Sequence, residues 1–344
     1  MIEIFGVGLA LLLMFAGFGL LIGLLFGFFG MGGSFLVTPA LLVMGYETDV
    51  AVASGLAFVF GTSVIATLKH RDLGQVDYKL GVLMIAGTTA GIEVGKQGLH
   101  FLQAMGIAGT VVSIAYVALL GGIGAFVTYR ALGDGGGGVS HDVGDEEFSE
   151  EDIPEIAKTI QSYEVPPMMT LRGGMRVSLW MILAVAFATG LLSGFLGVGG
   201  GFIRMPALFY LIGVPVPVAV GTDLFEIVFS GGIGSFLYAI DGAVDLAIVA
   251  PLLAGSALGA RVGAAATSIV DEDEIKVYFG VMLLLGATAV AIREIGGAIG
   301  VPVLDTVALI IILGAAVLVS GAVVYSSIRE LRTTGTDTDS VTAD

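Results

Sequence analysis

The chain of 344 residues contains no cysteine, and charged residues make up only 13% of it. Disulfides, thiolate metal ligands and cysteine nucleophiles are therefore excluded. Soluble domains contain about 25% charged residues, so the composition also argues against a soluble enzyme with one buried core. The mean hydropathy is +1.00, and several runs of 18 or more residues carry few or no charges. Such runs predict an all-α polytopic membrane protein lying in a lipid bilayer.

Basic residues are scarce, and the formal net charge is −16 with a pI of about 4.4. A nucleic-acid-binding protein would carry a basic patch, so no nucleic acid is expected as a partner. High acidity with few lysines suits a salt-rich habitat, where screening weakens self-repulsion. Three scattered histidines form no metal site, and no Ser-His-Asp group is present. We therefore predict no catalytic residues, no cofactor and no enzymatic activity.

The apolar segments fall into two groups on either side of a polar stretch. They run over 4–29, 34–46, 50–69, 80–98 and 104–129, and then over 177–197, 202–214, 216–240, 246–268, 275–292 and 303–328. We predict a first transmembrane repeat over 1–130 and a flexible acidic linker over 131–175, with one short helix near 152–163. A second repeat with an extra C-terminal helix follows over 176–332, and a disordered tail over 333–344.

The two groups repeat each other in sequence. Residues 27–41 read GFFGMGGSFLVTPAL and residues 194–208 read GFLGVGGGFIRMPAL, with nine of fifteen positions identical. After one inserted residue the register continues through Gly-x-Val-Asp, ending at Asp77 and Asp245, and through Gly-xxx-Gly-xxx-Gly at 87–95 and 255–263. Internal repeats are typical of secondary transporters, whose sites lie where the repeats meet. Structural duplication without transport is the alternative.

Basic residues indicate how the repeats are oriented. They cluster over 69–79 and flank the central linker. We expect the protein to lie in the plasma membrane, and the positive-inside rule places both of these regions on its cytoplasmic side. The connection over 239–245 has no lysine or arginine, which favours inverted repeats. Inversion requires the short segments 34–46 and 202–214 to cross the membrane; if they re-enter instead, the repeats are parallel.

Two glycine motifs are the first candidate site. Each follows a long apolar segment and precedes a proline: Gly30, Gly32, Gly33 and Pro39 in one repeat, and Gly197, Gly199, Gly200, Gly201 and Pro206 in the other. Glycine and proline break helices, and broken backbone at membrane depth is tolerated inside protein or along a water-filled cavity. The freed N–H groups suit an anion. Close helix packing is the alternative explanation. A dinucleotide-binding loop is rejected, since no strand precedes either motif.

Charges inside apolar segments are costly and mark functional candidates. Arg204, three residues after the second glycine run, is predicted to bind the anion. Asp223 and Glu226 share a helix face and are expected to pair with Arg204 or relay a proton. Glu93 and Arg261 occupy equivalent positions with opposite charges, which suggests a structural pair between the repeats.

Two further patterns have structural interpretations. Small residues recur every fourth position at 19–27, 87–95, 186–194 and 255–263, which predicts close helix–helix packing. Asp77 and Asp245 each precede a predicted helix and are expected to be N-caps.

These motifs together resemble the sulfite exporter TauE/SafE family (TSUP) over about 20–130 and 180–295. The resemblance implies a membrane permease for small anions, sulfur-containing or organic, such as sulfite, sulfonates or carboxylates. A small anionic substrate and a coupling proton or sodium ion are the partners expected. The long acidic linker and the segment 303–328 depart from the family's compact pattern. The alternative from another functional class is a membrane scaffold or sensor that transports nothing.

Overall fold

The computed structural model describes residues 3–4, 7–29, 34–72, 74–133, 165–171, 176–214, 216–266, 270 and 272–341. These residues are almost entirely helical. Eight of the described helices contain a stretch long and apolar enough to cross a membrane. The chain is therefore an all-α, multi-pass membrane protein, as its composition predicts.

The helices divide between the two halves of the chain. The first half has α1 (Leu9–Phe29), α2 (Ser34–Val43), α3 (Thr48–Asp72), α4 (Tyr78–Ala104) and α5 (Ala108–Gly133). The second half has α6 (Leu179–Leu196), α7 (Gly201–Ala207), α8 (Val216–Ile240), α9 (Leu246–Ala266), α10 (Glu272–Ile299) and α11 (Val303–Val341). A π-helical turn over Leu208–Ile212 continues α7. Of the long helices, α4 falls outside the eight, since its lysines and glutamate lower its hydropathy.

Two glycine seams pack the halves together. A Cβ on Gly19 of α1 would lie 2.1 Å from the Leu252 carbonyl oxygen of α9, and one on Gly27 would lie 2.2 Å from that of Ala260. Residue numbers rise together along this seam, so α1 and α9 are parallel. The predicted role of the small residues in helix packing is confirmed, because no larger side chain fits here.

The second seam joins α4 to α6 in the same way. A Cβ on Gly190 of α6 would lie 2.3 Å from the Thr88 carbonyl oxygen of α4, and one on Gly194 would lie 2.3 Å from that of Ile92. The numbers again rise together, so these helices are also parallel. Each seam therefore joins the first helix of one half to the fourth helix of the other.

Two other helix pairs, each with one helix from either half, pack in antiparallel orientation. Gly124 of α5 lies against Gly280 of α10, and Gly121 lies against Ala287. Between α3 and α8, Phe60 lies beside Gly231 and Leu56 lies beside Gly234. In both pairs one number rises as the other falls, so the helices are antiparallel.

The helix N-caps predicted at Asp77 and Asp245 are confirmed. The Asp77 carboxylate accepts from the Leu80 N–H at 3.0 Å and that of Asp245 accepts from the Ala247 N–H at 2.8 Å. The N–H of Asp77 donates to the Thr222 hydroxyl at 2.9 Å, and that of Asp245 donates to the Ser54 hydroxyl at 3.4 Å. Ser54 and Thr222 are separated by the same number of residues as the two aspartates. The two hydrogen bonds therefore join equivalent positions of the two repeats.

The segments flanking the bundle differ in part from prediction. Within 131–175, helix α5 covers 131–133, and 165–171 pack on the bundle through the hairpin of β3 (Met168–Thr170) and β4 (Arg176–Ser178). Leu171 and Val177 are buried there among apolar residues of α4 and α6, so this end of the linker is not freely solvated. The helix predicted near 152–163 lies outside the described residues.

The described residues near both ends of the chain also form regular secondary structure. A short hairpin of β1 (Glu3–Ile4) and β2 (Val7–Gly8) precedes α1, which begins at Leu9. At the other end α11 continues to Val341 and covers most of the tail predicted to be disordered from 333. Extending an existing helix costs far less than nucleating one, which explains how so polar a sequence is helical there.

Candidate functional site

The second glycine motif breaks the helix between α6 and α7. Gly197, Gly199 and Gly200 all adopt left-handed backbone conformations, with φ of 76°, 67° and 81°. A Cβ on Gly197 would lie 2.5 Å from the Val52 carbonyl oxygen, and one on Gly199 would lie 2.5 Å from Val59. Backbone conformation and close contact with α3 therefore both require glycine here. The first motif, at Gly30, Gly32 and Gly33, lies outside the described residues.

Hydroxyl groups hold the carbonyls at this break. Tyr116 donates to the Leu196 carbonyl at 2.6 Å, and Tyr238 donates to that of Gly194 at 2.7 Å. Thr38 of α2 donates to the Gly197 carbonyl at 3.4 Å. Thr38 precedes the predicted site residue Pro39, which lies inside α2, so α2 contacts the break in the other half. These bonds satisfy carbonyls that have no intrahelical partner.

Arg204 lies in α7 just past the break, and its side chain has no exposed surface. Its Nη1 donates to Asp223 Oδ1 at 3.0 Å and also to Glu226 Oε2. Its Nε donates to the Thr189 hydroxyl at 3.3 Å, and its Nη2 donates to the Gly199 carbonyl at 3.3 Å. Arg204 therefore contacts both acids, and pairing with Arg204 is one of the two roles that the sequence left open for them.

The two acids lie one turn apart on α8 and are as fully buried as Arg204. Ser230, a further turn along, donates to Glu226 Oε2 at 3.1 Å. The second carboxylate oxygens, Asp223 Oδ2 and Glu226 Oε1, are buried without a hydrogen-bond partner among the described residues. We call Arg204, Asp223 and Glu226 the buried triad; with all three groups ionised its net charge is −1.

The sequence did not identify the polar neighbours of the triad, Ser230 and Thr189, or the tyrosines that bond the carbonyls of the break. Ser230 had a usable signal, since it follows Glu226 by four residues and shares its helix face. Thr189, Tyr116 and Tyr238 had none, because their partners lie 15 to 80 residues away in the chain. Pro206 lies in α7, just before the π-helical turn. Turns of this kind recur beside functional sites.

The expected pair between Glu93 and Arg261 is not formed. Glu93 accepts from Gln97 of its own helix at 2.9 Å, and Arg261 is exposed. The physical reason is that α4 and α9 lie in different seams, packed along α6 and α1 respectively. Equivalent positions in two repeats need not be neighbours in space. The ion pair that α4 does form is between its Lys96 and Asp241, whose Nζ and Oδ2 lie 2.7 Å apart.

Comparison with known proteins agrees with this architecture. The family model described as Sulfite exporter TauE/SafE matches residues 15–290. The probable membrane transporter protein YunE of Bacillus subtilis is 25% identical over 281 residues, covering 78% of this chain and 92% of its own. A probable membrane transporter protein of Xylella fastidiosa (strain 9a5c) is 27% identical over 249 residues, covering 72% and 81%.

No solved structure matches the chain. The family match covers most of the chain, including both seams and the whole buried triad. This chain therefore belongs to the sulfite exporter TauE/SafE family of membrane transporters.

Proposed function

We propose that this protein moves small oxyanions, sulfur-containing or organic, across the cell membrane by alternating access, and that Arg204 binds the anion. The observation that carries the proposal is a fully buried arginine beside a broken helix in a membrane transporter. A guanidinium offers planar pairs of N–H donors that match sulfite, sulfonate and carboxylate groups. Buried charges inside membrane proteins are costly and mark transport pathways.

The place of Arg204 within the fold supports this role. Alternating access requires a site where the two halves meet, and the break is contacted by α2 and α3 of the first half. A Cβ on Gly200 would lie 2.8 Å from Arg204 Nη2 and 3.2 Å from the Thr189 carbonyl oxygen. The glycines thus bring backbone against the guanidinium. In this proposal the equivalent residues Gly30, Gly32, Gly33 and Pro39 also take part in binding the anion.

Helix directions support inverted repeats. The equivalent helices α3 and α8 are antiparallel, as are α5 and α10. Two repeats related by a pseudo-twofold axis in the membrane plane have this relation. α1 is parallel to α9, and short turns reverse the chain between α8 and α9. It follows that α1 and α3 run the same way, which is consistent with a return crossing of the chain between these two helices.

We propose that the short helices make this return crossing. With 10 residues, α2 is about 15 Å long, half the thickness of the hydrocarbon core. Its flanking residues would supply the remaining length inside protein, where broken backbone is tolerated. We further propose that the central linker is cytoplasmic, as its basic flanks indicate.

The test is anion uptake by proteoliposomes with Arg204 variants. Arg204→Lys should retain flux with weaker apparent affinity, since an ammonium keeps the charge but loses the paired donors. Arg204→Ala should abolish flux while the protein remains in the membrane, and neutralising Asp223 or Glu226 should not restore it. Recovery of flux with unchanged anion affinity in Arg204→Ala/Asp223→Asn or Arg204→Ala/Glu226→Gln would assign Arg204 a purely structural role.

A further inference from the structure

We propose that the buried triad is the coupling site of the transporter, and that it carries about one proton with each monovalent anion. The inference rests on the proposed function and adds the coupling ion, the stoichiometry and the charge of the substrate. It starts from the excess of acid in the triad, where two carboxylates face one guanidinium.

A buried net charge of −1 is costly, because side chains without exposed surface lose their contact with bulk solvent. All three side chains are fully buried, and Arg204 already donates through Nη1 to both acids. Asp223 Oδ2 and Glu226 Oε1 are left without hydrogen-bond partners among the described residues. One proton on either oxygen makes the triad neutral and converts an unsatisfied acceptor into a donor. The empty site is therefore expected to hold one proton.

A proton fits this centre better than a sodium ion does. Sodium needs several oxygen ligands at once, and the adjacent guanidinium would repel it. Within the described residues, no group of three or more His, Cys, Asp and Glu could hold a metal ion. A proton needs only one oxygen, and it forms one O–H bond without releasing any other product.

Anion binding changes the proton count by one. In this proposal a monovalent anion binds the guanidinium by displacing the carboxylates from Nη1. If both acids are then protonated, the site again has no net charge: one cation, one anion and two neutral acids. The empty neutral site holds one proton and the loaded neutral site holds two. The difference is one proton per monovalent anion, and a dianion would leave the centre charged.

Few other ionisable groups face α8 from the elements packed against it. α7 contributes Arg204, the π-helical turn contains no acid, base or histidine, and α3 presents Leu56 and Phe60. From α4, Lys96 donates to the Leu237 carbonyl near the end of α8, beyond the triad acids. The Asp77 N–H donates to Thr222, while its carboxylate caps the helix at Leu80. Asp77 is thus committed to the cap, and the triad acids remain the candidates for protons that move with the anion.

The experiment measures uptake of labelled ethanesulfonate, which stays ionised at ordinary pH and does not cross lipid as a neutral acid. In proteoliposomes with wild-type protein, a gradient of about one pH unit, acid outside, should drive about tenfold accumulation. Accumulation should not respond to a clamped membrane potential, because one anion and one proton carry no net charge. A dye inside the vesicles should report acidification that depends on ethanesulfonate.

Neutralising the acids tests which residues carry the proton. Asp223→Asn/Glu226→Gln leaves Arg204 as the only charge, so uptake should lose its pH drive and become driven by voltage. Asp305→Asn, at an exposed position in α11, is the matched control and should behave as wild type. Either single variant should remain coupled, since one acid is enough to carry the moving proton.

The outcomes separate the two proposals. Wild-type uptake of ethanesulfonate without acidification, or driven by voltage alone, would overturn proton coupling and leave the proposed function standing. A double variant that keeps the pH drive would overturn the assignment to the triad. No uptake of ethanesulfonate or sulfite by the wild-type protein would overturn the proposed function itself, and this inference with it.

Discussion

The seam between α1 and α9 predicts opposite effects for the same substitution at two glycines of one helix. A Cβ on Gly23 would lie 2.4 Å from Ser256 Cα and 2.5 Å from its carbonyl oxygen, whereas one on Gly17 would have nothing within 4 Å. Ordinary carbon contacts begin near 3.4 Å, so Gly23→Ala must separate the helices by roughly 1 Å. Gly17→Ala needs no such movement.

The magnitude follows from two opposing contributions. Alanine in place of a helical glycine stabilises by about 0.5–1 kcal/mol, because the unfolded chain has less freedom to lose. Forcing an extra methyl group into a packed interface destabilises by about 1–3 kcal/mol. Gly17→Ala should therefore be neutral or slightly more stable than wild type. Both variants gain the alanine contribution, so Gly23→Ala should be less stable than Gly17→Ala by the packing cost alone, about 1–3 kcal/mol.

The assay is equilibrium unfolding in mixed micelles titrated with a denaturing detergent. Circular dichroism follows the helices, and the single tryptophan, Trp180 at the start of α6, gives a second probe. Equal stability of Gly23→Ala and Gly17→Ala would refute the argument, because it would show that α1 and α9 do not approach each other closely at this point.

Three further predictions concern the connections between helices. The hydrogen bond from Lys96 lowers the pKa of Asp241 from its ordinary value of 3.8. Asp241→Asn should therefore lower thermal stability at neutral pH, and its difference from wild type should fade as the pH falls below about 4; a difference that grows with acid would contradict this. The chain has no cysteine, so Ser140→Cys supplies a single thiol. If the linker is cytoplasmic, an impermeant reagent should label it in inverted vesicles and fail in intact cells, and the reverse result would refute this orientation. Replacing 134–152 with a neutral Gly/Ser linker should leave flux within a few-fold, because the segment has almost no apolar residues to pack; loss of flux would show that it regulates the bundle.

Much of the fold could be predicted from the sequence because its signals are local. Long apolar runs, caps such as Asp77 and small residues every fourth position each specify a helix, its start or its packing face. The partners of the seams could not be read from these patterns. Gly23 shows that a close contact exists, and only the folded chain shows that α9 makes it.

The candidate site was predictable in its charges but not in its surroundings. The sequence identifies Arg204, Asp223 and Glu226 as candidates because charged residues are rare in apolar segments. Thr189 is an ordinary helical threonine in the sequence, and nothing local marks its contact with Arg204. The expected contact between Glu93 and Arg261 was wrong because sequence equivalence between repeats does not specify proximity.

The most direct measurement of the central claim compares anion uptake by the wild-type protein with uptake by a charge-free triad. Arg204→Met/Asp223→Asn/Glu226→Gln removes all three charges together, so no buried charge is left unpaired and the fold should persist. If Arg204 binds the transported anion, proteoliposomes with wild-type protein should accumulate labelled anion, and those with the triple variant should show only the leak of empty vesicles. Uptake by a folded triple variant at the wild-type rate and affinity would contradict the claim.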